Sequence, residues 1–318
     1  MGTDVASAAG ADDPIQGSSL WSDAWKRVRR NRAAVASLAV VAAMVAASLL
    51  GPPLIELSTG YTYDLIPADR ELVRSFAPFR GPGGSWSALH PMGTDIAGRD
   101  LLARVLLGGR ISLMVGLIST LVSLVIGTAY GATAGYLGGR ADEVLMRIVD
   151  VLYAIPYMMI VIVLLAFFGN RSPLAQLVLL FVALGSVSWL TMARIVRGQV
   201  ISLKNQEFVL AARATGVRPV AIIARHLVPN ALGPVIVYAT LTIPSVMLLE
   251  AFLSFLGLGV QAPLASWGSL AADGVQTIAV FPWQLLCPGI TMAVTLLALN
   301  FLGDGLRDAF DPRGRRSP

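Results

Sequence analysis

Two groups of residues in this chain could do chemistry, and they lie apart in the sequence. The first is a polar, basic stretch, EFVLAARATGVRPVAIIARHLVPN (Glu207 to Asn230), set between long apolar runs. Its opening consists of good helix formers, with Phe208, Ala211 and Ala212 at i, i+3, i+4 spacing. Gly216 stands where such a helix would stop, and Pro219 where the next would start. Small side chains on a helix let another surface come close, so the pattern fits a docking helix or a plain connector. The second is Glu250, a carboxylate inside the apolar run PSVMLLEAFLSFLGLG. An acid at membrane depth is costly, and either ties helices together through polar partners or serves an ion relay. A relay needs several such groups, whereas the other acids near apolar runs, Asp150 and Asp304, fall at run ends. The balance favours a structural carboxylate.

Other reactive constellations are missing. The chain has two lysines, Lys26 after Trp25 and Lys204 after Leu203, so the Gly-Lys of a phosphate-cradling loop is absent. His90 and His226 are its two histidines and are far apart, which excludes a helical zinc pair. There is no Gly-x-Ser-x-Gly elbow. A single cysteine, Cys287, leaves no internal disulfide. The chain itself is expected to carry no catalytic residue, metal or cofactor.

The surroundings of these residues follow from composition. Of 318 residues, 14% are charged and 55% hydrophobic, against about 25% charged in a typical soluble domain. The expected class is an all-α integral membrane protein, divided into spans of about 20 apolar residues. Six runs qualify: 33–51, 111–139, 148–168, 174–193, 231–258 and 283–302. They leave a polar tail at 1–32, an outside segment at 52–110, a core at 111–303 with a loop at 197–230, and a tail at 304–318. KRVRRNR precedes the first run, but that run begins only at Ala33, too late for an ordinary signal peptide.

Orientation follows the basic residues. With the N-terminus inside, the cytoplasmic side receives Lys26, Arg27, Arg29, Arg30 and Arg32, Arg140 and Arg147, the cluster Arg194 to Arg225, and Arg307 to Arg316. The opposite side keeps Arg171 and the arginines of the long 52–110 segment, which weigh less in the rule. Both tails and the 197–230 loop are therefore expected in the cytoplasm. On the outside, Trp267 and Trp283 suit an interfacial aromatic belt. Thr94, Asp95, Arg99 and Asp100 read as a scaffold. Glycines at 127, 131, 135 and 139 line one helix face and fit close packing within the chain or against a partner. Ser188, Thr191, Ser245 and Glu250 are candidates for a polar path through the spans, alongside Ser112, Ser119, Ser123 and Thr128. Hydroxyls in membrane helices also commonly bond backbone.

The 207–230 stretch resembles the EAA loop of membrane subunits of binding-protein-dependent ABC importers. Ala211, Ala212, Gly216 and Pro229 match that motif, and Leu210 occupies its glutamate position, with Glu207 one turn earlier. HPMGTDIAGRDLLARVLLGGRISL, RHLVPN, LSFLGLG, WGSL and NFLGDGLRDAFDPR are similar to further blocks of the C-type permeases of peptide and nickel importers. The head, SLWSDAWKRVRRNRAAVASL, looks most like the oligopeptide branch. The resemblance implies a type I importer permease fold in the bacterial inner membrane. It implies a homologous B-type permease, two cytoplasmic ATPase subunits holding ATP and Mg, an extracytoplasmic peptide-binding protein and membrane lipid as partners, and no nucleic acid. Peptide would be the substrate; dipeptide, murein peptide or nickel are alternatives, and an ion-coupled secondary transporter is the competing class. Glu207, Phe208, Ala211, Ala212, Arg213, Gly216, Arg225, His226, Pro229 and Asn230 would then form the loop that couples to the ATPases.

Overall fold

The computed structural model describes residues 20–67, 75–81, 84–168 and 172–310. Residues 1–19 of the expected N-terminal tail, Arg171 and the basic residues Arg313, Arg315 and Arg316 lie outside them. Helices dominate, and among the described residues only isolated bridges, Arg80 to Trp86 and Thr94 to Asp100, pair strand-like backbone.

Helix α1 (Leu20–Arg30) ends at Asn31, whose extended backbone turns the chain into α2 (Arg32–Thr59). The Asn31 side chain accepts from the amides of Ala33 and Ala34, satisfying two of the orphan donors at the α2 start. Helix α3 (Leu101–Leu137) begins ten residues before Ile111, the sequence-based start of the second run. The reason is Asp100, whose Oδ1 accepts the Ala103 amide at 2.7 Å and caps a turn that hydropathy does not register.

The third run is not one straight helix. Helix α4 (Gly139–Ala154) and α5 (Tyr157–Phe168) are bent apart, by 71° measured between Gly139–Ala154 and Met158–Phe168. Pro156 has no amide to donate and pushes Ile155 into extended backbone, so the helix breaks there. Helix α6 (Pro173–Leu203) continues ten residues past the expected end at Ala193. Its charges leave the apolar run without breaking the helix because α4 pairs them: Arg194 with Asp150 at 2.8 Å, and Arg197 with both oxygens of Asp142.

After α7 (Glu207–Ala214), α8 (Pro219–Ile222) passes through a π turn, Ile223–Leu227, into α9 (Val228–Phe255). Together they make one helix from Pro219 to Phe255. Pro229 cannot donate to the Arg225 carbonyl, and the turn widens so that the Val228 amide reaches Ile223. Thus most of the 197–230 segment is helix belonging to its neighbours. Helix α10 (Trp267–Thr277) and α11 (Trp283–Phe310) complete the chain. Five helices are long and apolar enough to cross a membrane, and the bent α4–α5 pair makes a sixth candidate.

The main seam joins α3 to α6. A Cβ on Gly131 would run into the Ala193 carbonyl, and one on Gly127 or Gly135 into Met192 or the Arg197 carbonyl. The glycine stripe thus packs inside this chain. Gly139 is outside the seam: a Cβ there would meet nothing.

Where the 75–100 segment meets the start of α3, Asp95 anchors the scaffold. Its Oδ1 accepts the amides of Ala97 and Arg99, and its Oδ2 pairs with Arg99 Nε and Arg104 Nη1, both at 2.7 Å. Asp100 Oδ2 pairs with His90 Nδ1 at 2.8 Å. Gln284 on α11 donates to the Thr94 carbonyl, tying this segment to the last helix. Trp267 corrects the aromatic-belt expectation. It is fully buried, and its indole donates to the Val105 carbonyl at 2.9 Å, so it is a core residue joining α10 to α3.

Candidate translocation cavity and docking helix

Helix α4, α6 and α9 enclose a cavity of about 340 Å³. Ser188 and Thr191 reach it from α6, Tyr238, Thr242 and Ser245 from α9, and Tyr153 from α4; Leu and Val side chains fill the remaining wall. Three hydroxyls donate to their own helices: Ser188 to Leu184, Thr242 to Tyr238 and Ser245 to Leu241. Their donors are spent, yet each oxygen keeps lone pairs for a guest. Thr191 Oγ1 instead meets the Tyr153 hydroxyl at 3.1 Å. At one edge, Arg194 lies over the Tyr153 ring, 4.4 Å from its centre, while pairing with Asp150. The cavity can therefore offer hydroxyl and aromatic contacts along an apolar wall, with one exposed ion pair beside it.

The structure brings Ser188, Thr191 and Ser245 together and leaves Glu250 out. Glu250 is fully buried on another side of α9. Its Oε1 accepts from Ser254 at 2.7 Å and its Oε2 from Ser112 at 3.1 Å. Ser112 also accepts the Trp267 amide, so the carboxylate stands one hydroxyl away from the α10 N-terminus. This is a tie between α3, α9 and α10. Ser119, Ser123 and Thr128, also weighed as path residues, do not line this cavity, and their buried hydroxyls have no hydrogen-bond partner among the described residues.

Sequence reasoning passed over Tyr153, Tyr238 and Thr242. The available signal was spacing: Tyr238, Thr242 and Ser245 recur at i, i+4, i+7 and so share one face of α9.

A larger cavity, about 430 Å³, opens at the Asp95 end of the molecule between the Asp95–Arg104 segment, the end of α9 and α10. Partial burial holds the Asp273 carboxyl there above its usual range, against the pull of the Arg104 and Arg99 guanidinium groups.

At the other end, α7 shows two faces. Val209 and Ala212 are buried in a cluster with Val196 and Val200 of α6, Ile222 of α8 and Ala132 of α3. Glu207, Phe208, Leu210, Ala211 and Arg213 are exposed, Arg213 lying over the Tyr136 ring at 4.9 Å. The i, i+3, i+4 face expected from Phe208, Ala211 and Ala212 is thus divided, because Ala212 turns inward with Val209, three residues before it. The helix stops at Gly216, which has a φ of 78° that only glycine adopts freely. The amide of Val217 bonds the Ala212 carbonyl across this turn. Arg225 and Pro229 are exposed, His226 is half-buried in the π turn, and the Asn230 side chain donates to the His226 carbonyl at 2.6 Å.

Comparison with known proteins agrees with this architecture. Residues 127–316 match the family described as "Binding-protein-dependent transport system inner membrane component". Residues 19–72 match the "N-terminal TM domain of oligopeptide transport permease C". The chain is 50% identical over 301 residues to the oligopeptide transport system permease protein OppC of Escherichia coli K12, covering 95% of this chain and 94% of that one. It is 45% identical to the Haemophilus influenzae protein of the same name, covering 95% of this chain and 91% of that one. It is 43% identical to the dipeptide transport system permease protein DppC of Bacillus subtilis, covering 94% and 87% respectively. An inward-facing structure of the MetNI methionine ABC transporter superposes with a TM-score of 0.52 at 18% identity, over 65% of this chain and 96% of that one, and shares the fold. The chain belongs to the binding-protein-dependent transport system inner membrane component family, among its peptide-transport permease C proteins.

Proposed function

We propose that this chain is one of two membrane-spanning subunits of an ATP-driven importer that carries oligopeptides across the bacterial inner membrane. The second would be a homologous B-type permease, completing the path on the open side of the α4–α6–α9 cavity. An extracytoplasmic binding protein would deliver peptide to the outer end. Two cytoplasmic ATPase subunits would hold ATP and Mg, and both tails of this chain would lie on their side. The family and the 50% identity to an oligopeptide permease support this reading.

The observation that carries the mechanism is the mounting of α7. Its inner face is locked into a core shared by α3, α6 and α8, while Phe208, Leu210 and Ala211 face outward. Lys204, at the end of α6, donates to the Gly135 carbonyl of α3 and fixes the root of this segment. A groove on an ATPase that grips the outer face would move α6 on one side and the continuous Pro219–Phe255 helix on the other. Those two helices carry Ser188, Thr191, Tyr238 and Ser245, so a displacement at α7 reaches the cavity walls through rigid elements. The chain would work as a lever and wall, with hydrolysis left to the partners.

The test is reconstitution of the four kinds of subunit in proteoliposomes. Peptide accumulation should need ATP and the binding protein, and should survive an uncoupler at constant ATP. Uptake that collapses with the uncoupler would instead support an ion-coupled carrier. The 43% identity to a dipeptide permease sustains a second substrate reading. The ligand bound to the cognate binding protein when purified from cells decides between them.

A further inference from the structure

The N-terminal helix has no part in the cavity or in α7, yet it is the most sharply two-faced segment of the chain. Ala24 and Val28, at i, i+4 spacing, are buried against Leu306, Ala309 and Phe310 at the end of α11. Around them, Trp25, Lys26, Arg29 and Arg30 are exposed, followed by Arg32 at the start of α2. Residues 20–32 carry five basic side chains and one acid, Asp23.

Position makes this surface informative. Helix α1 does not continue α2: the extended backbone of Asn31 redirects the chain between them, and the Asn31 side chain caps the membrane-crossing helix that follows. α1 is thus held beside one end of two spans, α2 and α11, by its small apolar face. None of Lys26, Arg29, Arg30 and Arg32 makes an ion pair with a described acidic residue, and Arg29 instead lies over the Trp25 ring at 5.1 Å. Trp at the level of the headgroups and cations beside it suit a helix lying along a membrane surface.

We infer that the exposed face of α1 is a binding surface for anionic phospholipid headgroups, with Lys26, Arg29, Arg30 and Arg32 as the phosphate-facing cations and Trp25 as the interfacial anchor. The occupant follows from charge complementarity: four cations with no acidic partner among the described residues, presented where a span enters the bilayer, face a layer of phosphodiesters. Each cation near an anionic membrane surface contributes on the order of fivefold in partitioning, and that contribution falls off with salt. The inference takes from the proposed function only that the helices α2 and α11 span a membrane; it does not depend on peptide being the cargo.

The experiment is lipid retention by the purified full chain, with its partner subunits present. The complex is equilibrated in detergent with equal phosphatidylglycerol and phosphatidylcholine, and the lipids retained are counted by native mass spectrometry at low and high salt. The expected result is a several-fold preference for phosphatidylglycerol that collapses at high salt. K26Q/R29Q/R30Q/R32Q should abolish it, and the charge-preserving R29K/R30K/R32K should keep it. No preference in the unmodified complex overturns the inference, as does an unchanged preference in the glutamine variant. Should that variant fail to insert, W25A/R29Q tests the same face with most of the charge kept, and a preference untouched by it counts against the inference. Inorganic phosphate added at constant ionic strength should leave the preference for phosphatidylglycerol standing, and its loss under that condition would mean a simple phosphate site and overturn the inference. Peptide uptake is not read at all, so failure here is distinct from failure of the importer assignment.

Discussion

The two ends of this molecule handle charge in opposite ways. At the Asp95 end, Asp95, Asp100, Arg104 and Glu250 are buried and partnered, the first three within the 90–104 segment and Glu250 by Ser112 of α3. At the α7 end, the Arg194–Asp150 pair is 42% and 51% exposed, the Arg197–Asp142 pair is partly buried, and Glu207, Arg213 and Arg225 face outward. A buried polar network tolerates little displacement, because any member moved out of place leaves an unsatisfied group behind. Exposed charges accommodate movement cheaply. The Asp95 end is therefore the more rigidly held of the two, and the α7 end the one that yields at lower cost.

The strongest way to break this contrast is at Asp95. Asp95→Ala would leave Arg99 and Arg104 facing each other without their shared carboxylate and strip two amides of their acceptor. Breaking such a buried arrangement costs about 3 to 5 kcal/mol. The expected outcome is a large drop in the thermal midpoint of the purified protein in detergent, with Asp95→Asn recovering part of it. A midpoint unchanged by Asp95→Ala would mean that the frame is not held here.

Next is Glu250. Glu250→Leu removes the acceptor of two buried hydroxyls and loosens the tie between α3, α9 and the start of α10, at about 1 to 3 kcal/mol. Glu250→Gln keeps an acceptor on the same stem and should lose much less. Thermal melts of the two variants side by side read the difference. Equal losses would point to the charge itself, not the hydrogen bonds, and would reopen the relay reading set aside on sequence grounds.

How much of this was legible in the sequence depended on whether a signal was local. The apolar runs, the Gly127-Gly131-Gly135 face and the Gly216-Pro219 punctuation are local patterns, and they reappear as helices, a seam and a turn, except that the third run breaks at Pro156 into two bent helices. Helix ends were misjudged where capping or pairing outweighed hydropathy: Asp100 starts α3 early, and Asp142 and Asp150 let α6 run on through Arg194 and Arg197. Partners remote in sequence were invisible. Nothing near Glu250 announces Ser112, and nothing near Trp267 announces the Val105 carbonyl that keeps it in the core. The cavity was half legible, since Ser188, Thr191 and Ser245 stood out as polar residues in apolar runs, whereas tyrosines pass as ordinary membrane residues until α4 and α9 are seen to face each other.

At the α7 end, a pair of neighbouring substitutions separates mounting from docking. Ala212 is buried among Val209 and Ile222, so Ala212→Glu forces an unpaired carboxyl and extra volume into the chain's own apolar core, at a cost of about 3 kcal/mol or more. Ala211 is exposed, so Ala211→Glu should leave the thermal midpoint within error and instead reduce co-purification of the ATPase subunits. Both effects are measurable on one preparation. If Ala211→Glu leaves ATPase retention and uptake intact while Ala212→Glu merely destabilises, the outward face of α7 is not the contact.

The smallest effect should come from Arg194→Gln, which removes an ion pair open to its surroundings on both partners. Exposed pairs contribute about 0 to 1 kcal/mol, so stability should barely change, in contrast to Asp95. Function is where the substitution can speak, because Arg194 also covers the Tyr153 ring, whose hydroxyl reaches Thr191 at the cavity wall. Freed from the guanidinium, that ring can swing, and the wall it shares with Ser188 becomes less defined. The expected result is an unchanged melt with a changed dependence of uptake rate on peptide length, measured as relative rates for a short and a long peptide. A melt shifted as far as that of Asp95→Ala would erase the distinction between a fixed Asp95 end and a yielding α7 end.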